Sequence, residues 1–390
     1  MRILVDIHQM DLGGSQINAV ELAWATADLG HEVHLVAPTG VLVEVARAHG
    51  LHVVTAARQM SWPTAANMRQ LTALARTLEV DVVHGYEWGP ALDVTFGPHA
   101  RLRLPAVMTI MAMRLNDFLP THLPTVVGTP DLARRELERR PRTVCIEPPV
   151  DVAANSSGDV AAARARWGFA PDEIVVTVVC RMVDDLEKAQ GVERALRVLG
   201  RASATWPLRF LVVGDGERLS AVRRRARAVN ARAGREVVVV TGALVDPRPA
   251  YDAADVVLGM GGSALRGMAF GKPLVVQGAH GFWRRLDEAT LEGFLRDGWY
   301  GDTHGRPDDL LAQLEPLLRS PRLRAHLGAF GRRVVVDRFS LEPTARRLEA
   351  VYLDAVAHPP RWSEAMSSIS MSAVKVARFK AYMSMHRDAA

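Results

Sequence analysis

Two basic residues in the segment VVCRMVDDLEKAQG have the type and spacing needed to bind a diphosphate. Arg181 follows an apolar, strand-like run, and Lys188 stands just before a helix-like stretch. Two cations at the end of a strand can neutralise the charge that develops on a leaving diphosphate, which is a large term in catalysis. The alternative is an exposed pair of cations held by surface ion pairs to Asp184, Asp185 and Glu187.

Two glycine turns lie where an apolar strand should give way to a helix. Gly13 and Gly14 open the segment GGSQINAVELA, and Gly261, Gly262 and Ser263 follow the run DVVLGM. The N–H groups at such a helix start can bind an anion or a sugar hydroxyl. Neither turn has the G-x-G-x-x-G dinucleotide pattern or a P-loop, and an ordinary helix-start turn or tight packing would also need glycines.

Polar residues also follow the apolar run VDVVH, and they are candidates for holding a second substrate. We expect His84, Tyr86, Glu87 and Trp88 to come after this strand, and His8 to end the first strand of the chain. Loops at sheet ends are enriched in functional residues, and Glu87 has the chemistry to orient a hydroxyl or act as a base. The alternative is that His84 and Glu87 only satisfy the loop backbone.

The elements that must position these residues alternate between strand-like and helix-like runs. Strands rich in Val and Ile, separated by amphipathic helices, predict an α/β fold with two doubly wound, Rossmann-like parallel-sheet domains. A segment rich in Pro, Asn, Ser and Gly at 147–159 is predicted to be the linker. We expect an acceptor-side domain at 1–150, a donor domain at 151–345, and helices at 346–390 that pack back on the first domain. Ligands should bind in a cleft where the carboxyl ends of both sheets face one another.

Composition excludes several classes of protein. The chain has 390 residues, 48% of them apolar, and a formal charge of +5, which predicts two globular domains. No apolar run approaches the about 18 residues of a membrane span, and no signal peptide is evident at the N-terminus, so we expect a cytoplasmic protein. Cys145 and Cys180 lie in apolar runs and are expected to be reduced core thiols.

Arginine supplies most of the positive charge. The densest cluster comprises Arg223, Arg224, Arg225, Arg227, Arg232 and Arg235. A nucleic-acid patch and a solvated helix face both fit this cluster, and the lack of interleaved aromatic residues favours the solvated face. The segment 362–390 carries apolar residues near helical spacing. Packing against protein is favoured over membrane-surface binding for it, so neither nucleic acid nor membrane is expected as a partner.

Taken together, these segments resemble the retaining GT-B glycosyltransferases of the family 4 type, which include sucrose synthases and bacterial lipid and natural-product enzymes. The similar segments are, in chain order, GGSQ with AVELA and GHEV, DVVH, IEPPVD, CRMVDDLEKAQG, VVGDGERL, ADVVLG with MAFGKPLVV, and DRFSLEPTARRLEAVY. The likeness extends over nearly the whole chain. It implies a transferase of hexosyl type from a bacterial source.

The chain departs from the family pattern at three positions. The family's donor block normally holds two glutamates eight residues apart, and Leu258 and Arg266 occupy those positions. Met111 stands where the family usually has a histidine beside the sugar. These departures imply an unusual donor, a partner that contributes groups, or a protein that has kept the fold and lost transfer.

The resemblance implies retention, in which the leaving diphosphate itself takes the acceptor's proton, so that paired carboxylates are not needed. The expected catalytic residues are Arg181, Lys188 and Glu87. The expected donor-binding residues are Gly13, Gly14, Gly261, Gly262, Ser263 and Arg266. The expected acceptor-side residues are His8, His84 and Met111.

The implied donor is a UDP-, GDP- or dTDP-sugar, and the implied acceptor is a small molecule of natural-product, sugar or lipid type. We expect no cofactor and no metal, because no Asp-x-Asp motif ends a strand and no His/Cys cluster has ligand spacing. A homodimer is left open. Two alternatives remain: a non-catalytic pseudo-glycosyltransferase that binds a nucleotide or a partner enzyme, and a GT-B nucleotide-sugar epimerase.

Overall fold

The computed structural model describes residues 1–57, 63–301 and 310–385. Its contacts divide the chain into two compact units, which are described separately. Unit 1 contains Met1–Pro148 and Leu341–Ala390, and unit 2 contains Pro149–Ser340. Along the described ranges, no helix combines the length and the apolarity that a membrane crossing requires.

Unit 1 is built on a parallel sheet, seven-stranded over the described residues. Its strands are β1 (Arg2–Ile7), β2 (Glu32–Ala37), β3 (His52–Thr55), β4 (Val82–Tyr86), β5 (Ala106–Ile110), β6 (Thr125–Val127) and β7 (Thr143–Cys145). They lie in the order β3-β2-β1-β4-β5-β6-β7. The inner strands are apolar and buried on both faces, as parallel strands between helices must be.

Six helices of the first part of the chain are described around this sheet. They are α1 (Gly14–Asp28), α2 (Leu42–Ala48), α3 (Ala65–Thr77), α4 (Trp88–Val94), α5 (Ala100–Leu102) and α6 (Pro130–Glu136). The Thr64 hydroxyl accepts a hydrogen bond from the Asn67 amide and caps α3, and Thr129 caps α6 in the same way. Such caps satisfy N–H groups that a helix start leaves without partners.

Unit 2 repeats the architecture with a smaller sheet. Its strands, in the part described, are β8 (Ile174–Val179), β9 (Leu208–Val213), β10 (Val238–Gly242), β11 (Val256–Gly259), β12 (Leu274–Gln277) and β13 (Trp283–Arg285). Their order is β10-β9-β8-β11-β12-β13. All pairings are parallel except that of β12 with β13, which is antiparallel. The prediction of two doubly wound parallel sheets is confirmed, with an antiparallel edge strand that the sequence reading did not anticipate.

The helices of unit 2 connect its strands and complete its core. They are α7 (Val160–Ala165), α8 (Lys188–Ala202), α9 (Leu219–Ala233), α10 (Arg248–Asp252), α11 (Gly262–Ala269), α12 (Leu291–Asp297), α13 (Leu310–Arg319) and α14 (Pro321–Phe339). Leu196 and Val222, from α8 and α9, pack in one cluster with Phe210 of β9. Right-handed crossovers place α8 and α9 on the same face of this sheet.

Two C-terminal helices return the chain to unit 1. They are α15 (Leu341–Ala357) and α16 (Trp362–Met385). Leu348 and Tyr352 of α15 enter the same core cluster as Val5 of β1. On α16, the Ser372 hydroxyl donates to the Phe118 carbonyl oxygen at 2.5 Å. The sheet of unit 1 is therefore covered partly by residues more than 200 positions distant in the chain.

Candidate functional site

The strand order of each unit places one crevice at the carboxyl edge of its sheet, where adjacent strands connect in opposite directions. In unit 2 this switch point lies between β8 and β11, and in unit 1 it lies between β1 and β4. Ligands of open α/β sheets bind at such points. We call Arg181, Lys188 and 261–263 the unit 2 switch site.

The loop that carries Arg181 is held by two glycines of the next βα connection. The Met182 amide donates to the Asp215 carbonyl oxygen at 2.8 Å. Gly214 and Gly216 have φ angles of +138° and +150°. A Cβ atom on Gly214 would lie 1.8 Å from the Cys180 carbonyl oxygen. Only glycine allows this approach, and it fixes the backbone on both sides of Arg181.

The two predicted cations differ in their surroundings. Arg181 is exposed and forms no hydrogen bond or ion pair with the described residues. Lys188 is the first residue of α8, and its Nζ lies 2.6 Å from Oδ2 of Asp185. The Lys188 side chain is only 14% exposed. The predicted surface ion pair is therefore present for Lys188, whereas Arg181 is available to an anion from solvent.

The turn before α11 offers fewer amides than its glycines suggested. The Gly261 amide donates to the Trp299 carbonyl oxygen at 3.0 Å, and the Ser263 amide donates to the Met260 carbonyl oxygen at 3.3 Å. The Ser263 hydroxyl is also bonded to the Met260 backbone. Of the three predicted anion-binding amides, only that of Gly262 has no partner within the described residues. The prediction that all three amides can bind an anion is therefore wrong for Gly261 and Ser263.

A tyrosine that the sequence reading missed covers this turn. A Cβ atom on Gly261 would lie 2.5 Å from the Tyr300 hydroxyl oxygen. Burial raises the pKa of Tyr300, so its hydroxyl stays protonated. No motif marked Tyr300, since it lies 39 positions beyond Gly261 and meets it only through the fold.

The two positions where the family has glutamates fall in different surroundings. Leu258 lies inside β11, is fully buried and packs in the core of unit 2. Arg266 is half-buried on α11, and one of its guanidinium nitrogens lies 3.5 Å from the Gly262 carbonyl oxygen. Arg266 thus points back towards the start of α11. The structure places Arg266 near the unit 2 switch site and Leu258 in the core.

In unit 1, Glu87 lies at the end of β4 and before α4. Its backbone has a φ of +68°, which is rare for a residue with a side chain. Its Oε1 accepts a hydrogen bond from the Ser15 hydroxyl at 2.6 Å and one from the Met111 amide at 3.1 Å. Burial raises the pKa of Glu87, while these two hydrogen bonds act in the opposite direction. We call His8, Ser15, Glu87 and Met111 the unit 1 switch site.

The start of α1 belongs to the same edge. Gly13 is buried before the helix, and Gly14 is its first residue and exposed. The Gln16 side-chain nitrogen lies 3.1 Å from Nε2 of His8. Ser15 was missed by the sequence reading, although its place directly after the glycine pair was the available signal.

His84 is a core residue, contrary to the prediction that it follows the strand and contacts an acceptor. It lies within β4 and is fully buried. Its Nδ1 lies 2.7 Å from the Tyr352 hydroxyl and its Nε2 lies 2.7 Å from the Thr109 hydroxyl. Both ring nitrogens are therefore used inside the protein. Tyr86 is also within β4 and buried, so the strand extends two residues further than predicted.

Acid is expected to destabilise unit 1 through His84. Burial lowers the pKa of His84 from 6.5 to about 3. Between these values the unfolded chain binds a proton at His84 that the folded chain does not. The free energy of unfolding therefore keeps its full value above pH 6.5 and decreases as the pH falls towards 3. The slope of this free energy against pH should reach about 1.4 kcal/mol per pH unit. Urea unfolding between pH 7 and 4 should show a shallower slope for His84→Gln, whose amide can still bond Thr109 and Tyr352.

The exposed His358 provides the control for this measurement. His358→Gln should keep the slope of the wild-type protein. Equal slopes for the wild type and His84→Gln would contradict the role given to His84.

The fold and the two switch sites define the class of protein. The two Rossmann-like units match the fold of solved GT-B glycosyltransferase structures. Residues 12–185 match the family model "Glycosyltransferase Family 4", and residues 173–320 match the model "Glycosyl transferases group 1". The two matches together span residues 12–320, so most of the chain matches glycosyltransferase family models.

Solved structures support the same fold. A glycosyltransferase from Rickettsia africae superposes with a TM-score of 0.70 at 14% identity, covering 92% of this chain and 99% of that one. Anabaena Alr3699/HepE in complex with UDP gives 0.68 at 15% identity, covering 90% and 99%. Sucrose-phosphate synthase from Thermosynechococcus elongatus gives 0.63 at 17% identity, covering 92% and 100%. No curated protein sequence matched significantly.

Proposed function

We propose that the protein transfers a sugar with retention from a UDP-sugar to a hydroxyl group of a small acceptor. The observation that carries this proposal is Arg181, an exposed cation without an ion pair in the described chain, held at the unit 2 switch point seven residues before Lys188. A diphosphate would supply the negative charge that Arg181 lacks among the described residues. The similar Anabaena protein has been crystallised with UDP and with UDP-glucose, which favours uridine among the three donor bases.

The proposed chemistry assigns separate work to the two units. In unit 2, Arg181 and Lys188 stabilise the diphosphate as the bond to the sugar breaks. The Gly262 amide at the start of α11 adds a further donor near the same edge. No carboxylate base is needed, because the departing diphosphate accepts the proton of the attacking hydroxyl. No carboxylate nucleophile is needed either, because the hydroxyl forms its bond on the sugar face from which the diphosphate leaves.

In unit 1, Glu87 is proposed to orient the acceptor. Its Oε1 already accepts two hydrogen bonds, so the carboxylate is held in one position. A carboxylate fixed in this way can receive a hydrogen bond from an acceptor hydroxyl without reorganising. His8 and Met111 lie on the same edge and are proposed to contact the acceptor.

The first experiment is calorimetric titration of the wild-type protein with UDP, GDP and dTDP. We expect UDP to bind most tightly. Absence of binding by all three would remove the donor-site proposal. Turnover of UDP-sugars on a panel of acceptors then tests transfer, and the anomeric configuration of the product tests retention.

Glu87→Gln is expected to lower the rate of transfer about 100-fold, because a neutral amide orients the acceptor hydroxyl less firmly than a carboxylate, and to leave UDP affinity unchanged. The amide keeps the shape of the side chain, and its oxygen can still accept from Ser15. Ser15→Ala serves as a second variant, because it removes one support of Glu87 without touching the acceptor, and it should cost less than Glu87→Gln. A normal rate for Glu87→Gln would exclude this residue from catalysis.

A pseudo-glycosyltransferase remains the second candidate, and two observations favour it. The Gly261 and Ser263 amides are bonded within the chain, and Leu258 is buried in the core. A protein that binds UDP and turns over no donor on a broad acceptor panel would fit this function. Conversion of a UDP-sugar without any acceptor would instead indicate an epimerase.

A further inference from the structure

The helices α8 and α9 carry an unusual excess of positive charge. Their sequences contain nine basic residues and a single acidic one, Glu193. Glu193 is buried, and its two oxygens lie 3.3 Å from Arg218 and 3.1 Å from Arg225. Its charge is therefore neutralised between the two helices and does not offset the charge of their surface.

Six arginines of these two helices are exposed, and we call them together the α8–α9 face. They are Arg197, Arg201, Arg223, Arg224, Arg227 and Arg232. None of them has an ion pair or hydrogen bond with the described residues. Like charges one helical turn apart, such as Arg223 and Arg227, each cost a helix about 0.2–0.5 kcal/mol.

Some arginines on other helices avoid this cost. Arg47 pairs with Glu44, Arg346 pairs with Glu342, and Arg134 pairs with Asp131, each about one turn away on the same helix. Exposed arginines without an ion pair among the described residues also occur on other helices, as Arg69 and Arg76 do on α3. The α8 and α9 helices concentrate six of them on two packed helices, and this concentration points to an anionic partner.

The residues that line a cavity on this face indicate which kind of anionic partner it binds. A cavity of about 480 Å³ lies along α9, lined by Ser220, Arg223, Arg224 and Arg227, with Glu217 at the helix start. Arginine bonds carboxylate or sulfate oxygens through two N–H groups, and Ser220 and Glu217 can bond hydroxyl groups. A ligand that carries both anions and hydroxyl groups matches this lining.

Nucleic acid and a lipid surface, two other anionic partners, match the α8–α9 face less well. The α8 and α9 sequences contain no aromatic residue on which a nucleic-acid base could stack. Neither helix has an exposed large apolar residue of the kind that inserts into a lipid surface. Arg223 and Arg227 are about 6 Å apart along the helix axis, a spacing that suits charges repeated along a chain of sugars.

We propose that the α8–α9 face binds an acidic glycan chain, with its carboxylate or sulfate groups on the arginines. The binding itself is independent of catalysis.

Binding of polygalacturonate and of heparin fragments tests the proposal, with the two probes distinguishing carboxylate from sulfate. The variant is Arg223→Ser/Arg227→Ser. The matched control is Arg69→Ser/Arg76→Ser, which removes the same charge from exposed positions on α3. At 0.15 M salt the α9 variant should bind at least 10-fold more weakly, and the control should stay within twofold of the wild type. Binding by the wild type should also weaken steeply with salt, and less steeply in the α9 variant.

Three results would overturn the proposal. They are no binding of either glycan by the wild type, equal weakening in the control, or tighter binding of duplex DNA than of either glycan. UDP affinity, measured on the same variants, should be unchanged. A protein that binds the glycan and no nucleotide would keep this inference and lose the transferase proposal, so the two failures are distinguishable.

Discussion

Arg181→Ala and Lys188→Ala are each expected to weaken UDP binding by about 10- to 100-fold. Hydrogen bonds to a charged group contribute about 1.5–3 kcal/mol, and each 1.4 kcal/mol corresponds to a factor of ten in affinity. The larger loss should follow Arg181→Ala, because Arg181 has no competing carboxylate among the described residues. Calorimetric titration with UDP measures both values.

Asp185→Asn separates a direct role of Lys188 from a structural one. Asp185 holds the Lys188 ammonium at 2.6 Å, and a diphosphate must compete with it. Its side chain is 61% exposed, so the ion pair is worth less than about 1 kcal/mol. UDP should bind about two- to fivefold more tightly to Asp185→Asn. Weaker binding would show that Asp185 helps to build the site rather than compete for Lys188.

Gly214→Ala is expected to be the most destabilising single change considered for unit 2. Its Cβ would lie 1.8 Å from the Cys180 carbonyl oxygen at a φ of +138°, so the backbone of two loops must shift. We expect a loss of about 3 kcal/mol or more in the free energy of unfolding. Urea unfolding measures it. UDP affinity should fall as well, because the shift displaces the backbone that carries Arg181.

Gly30→Ala is the matched control for this effect. Gly30 also has a positive φ, +92°, but a Cβ atom there would meet nothing within 4 Å. Gly30→Ala should lower the free energy of unfolding only through its backbone conformation, by about 1–2 kcal/mol. Similar losses for Gly214→Ala and Gly30→Ala would show that the contact with Cys180 is relieved easily and does not position Arg181.

Much of the fold could be predicted because its signals are local. The run EIVVTVVC is apolar on both faces and became β8, a central strand of a parallel sheet. The same reasoning located β1 and β4, and hence the carboxyl edges where Arg181 and Glu87 lie. Parallel strands buried between helices leave this pattern in any sequence, since both of their faces must exclude water.

The candidate site was only partly predictable, because its hydrogen-bond partners are distant in the chain. Lys188 was named as a cation, and its partner Asp185, three residues away, could be anticipated as one of the nearby carboxylates. The loss of the Gly261 amide to Trp299 had no sequence signal. Neither did the position of Tyr300 over the same glycine.

The sequence by itself determined the alternation of strands and helices and the two cations at the end of β8. The tertiary structure alone decided which of the candidate groups remain available to a ligand. His84 shows the physical reason: it was expected at the sheet edge, but Tyr352, 268 residues further on, bonds one ring nitrogen, and burial lowers its pKa to about 3. Periodicity records which side of an element is buried, whereas the partner that satisfies a buried polar atom is chosen only when distant elements pack together.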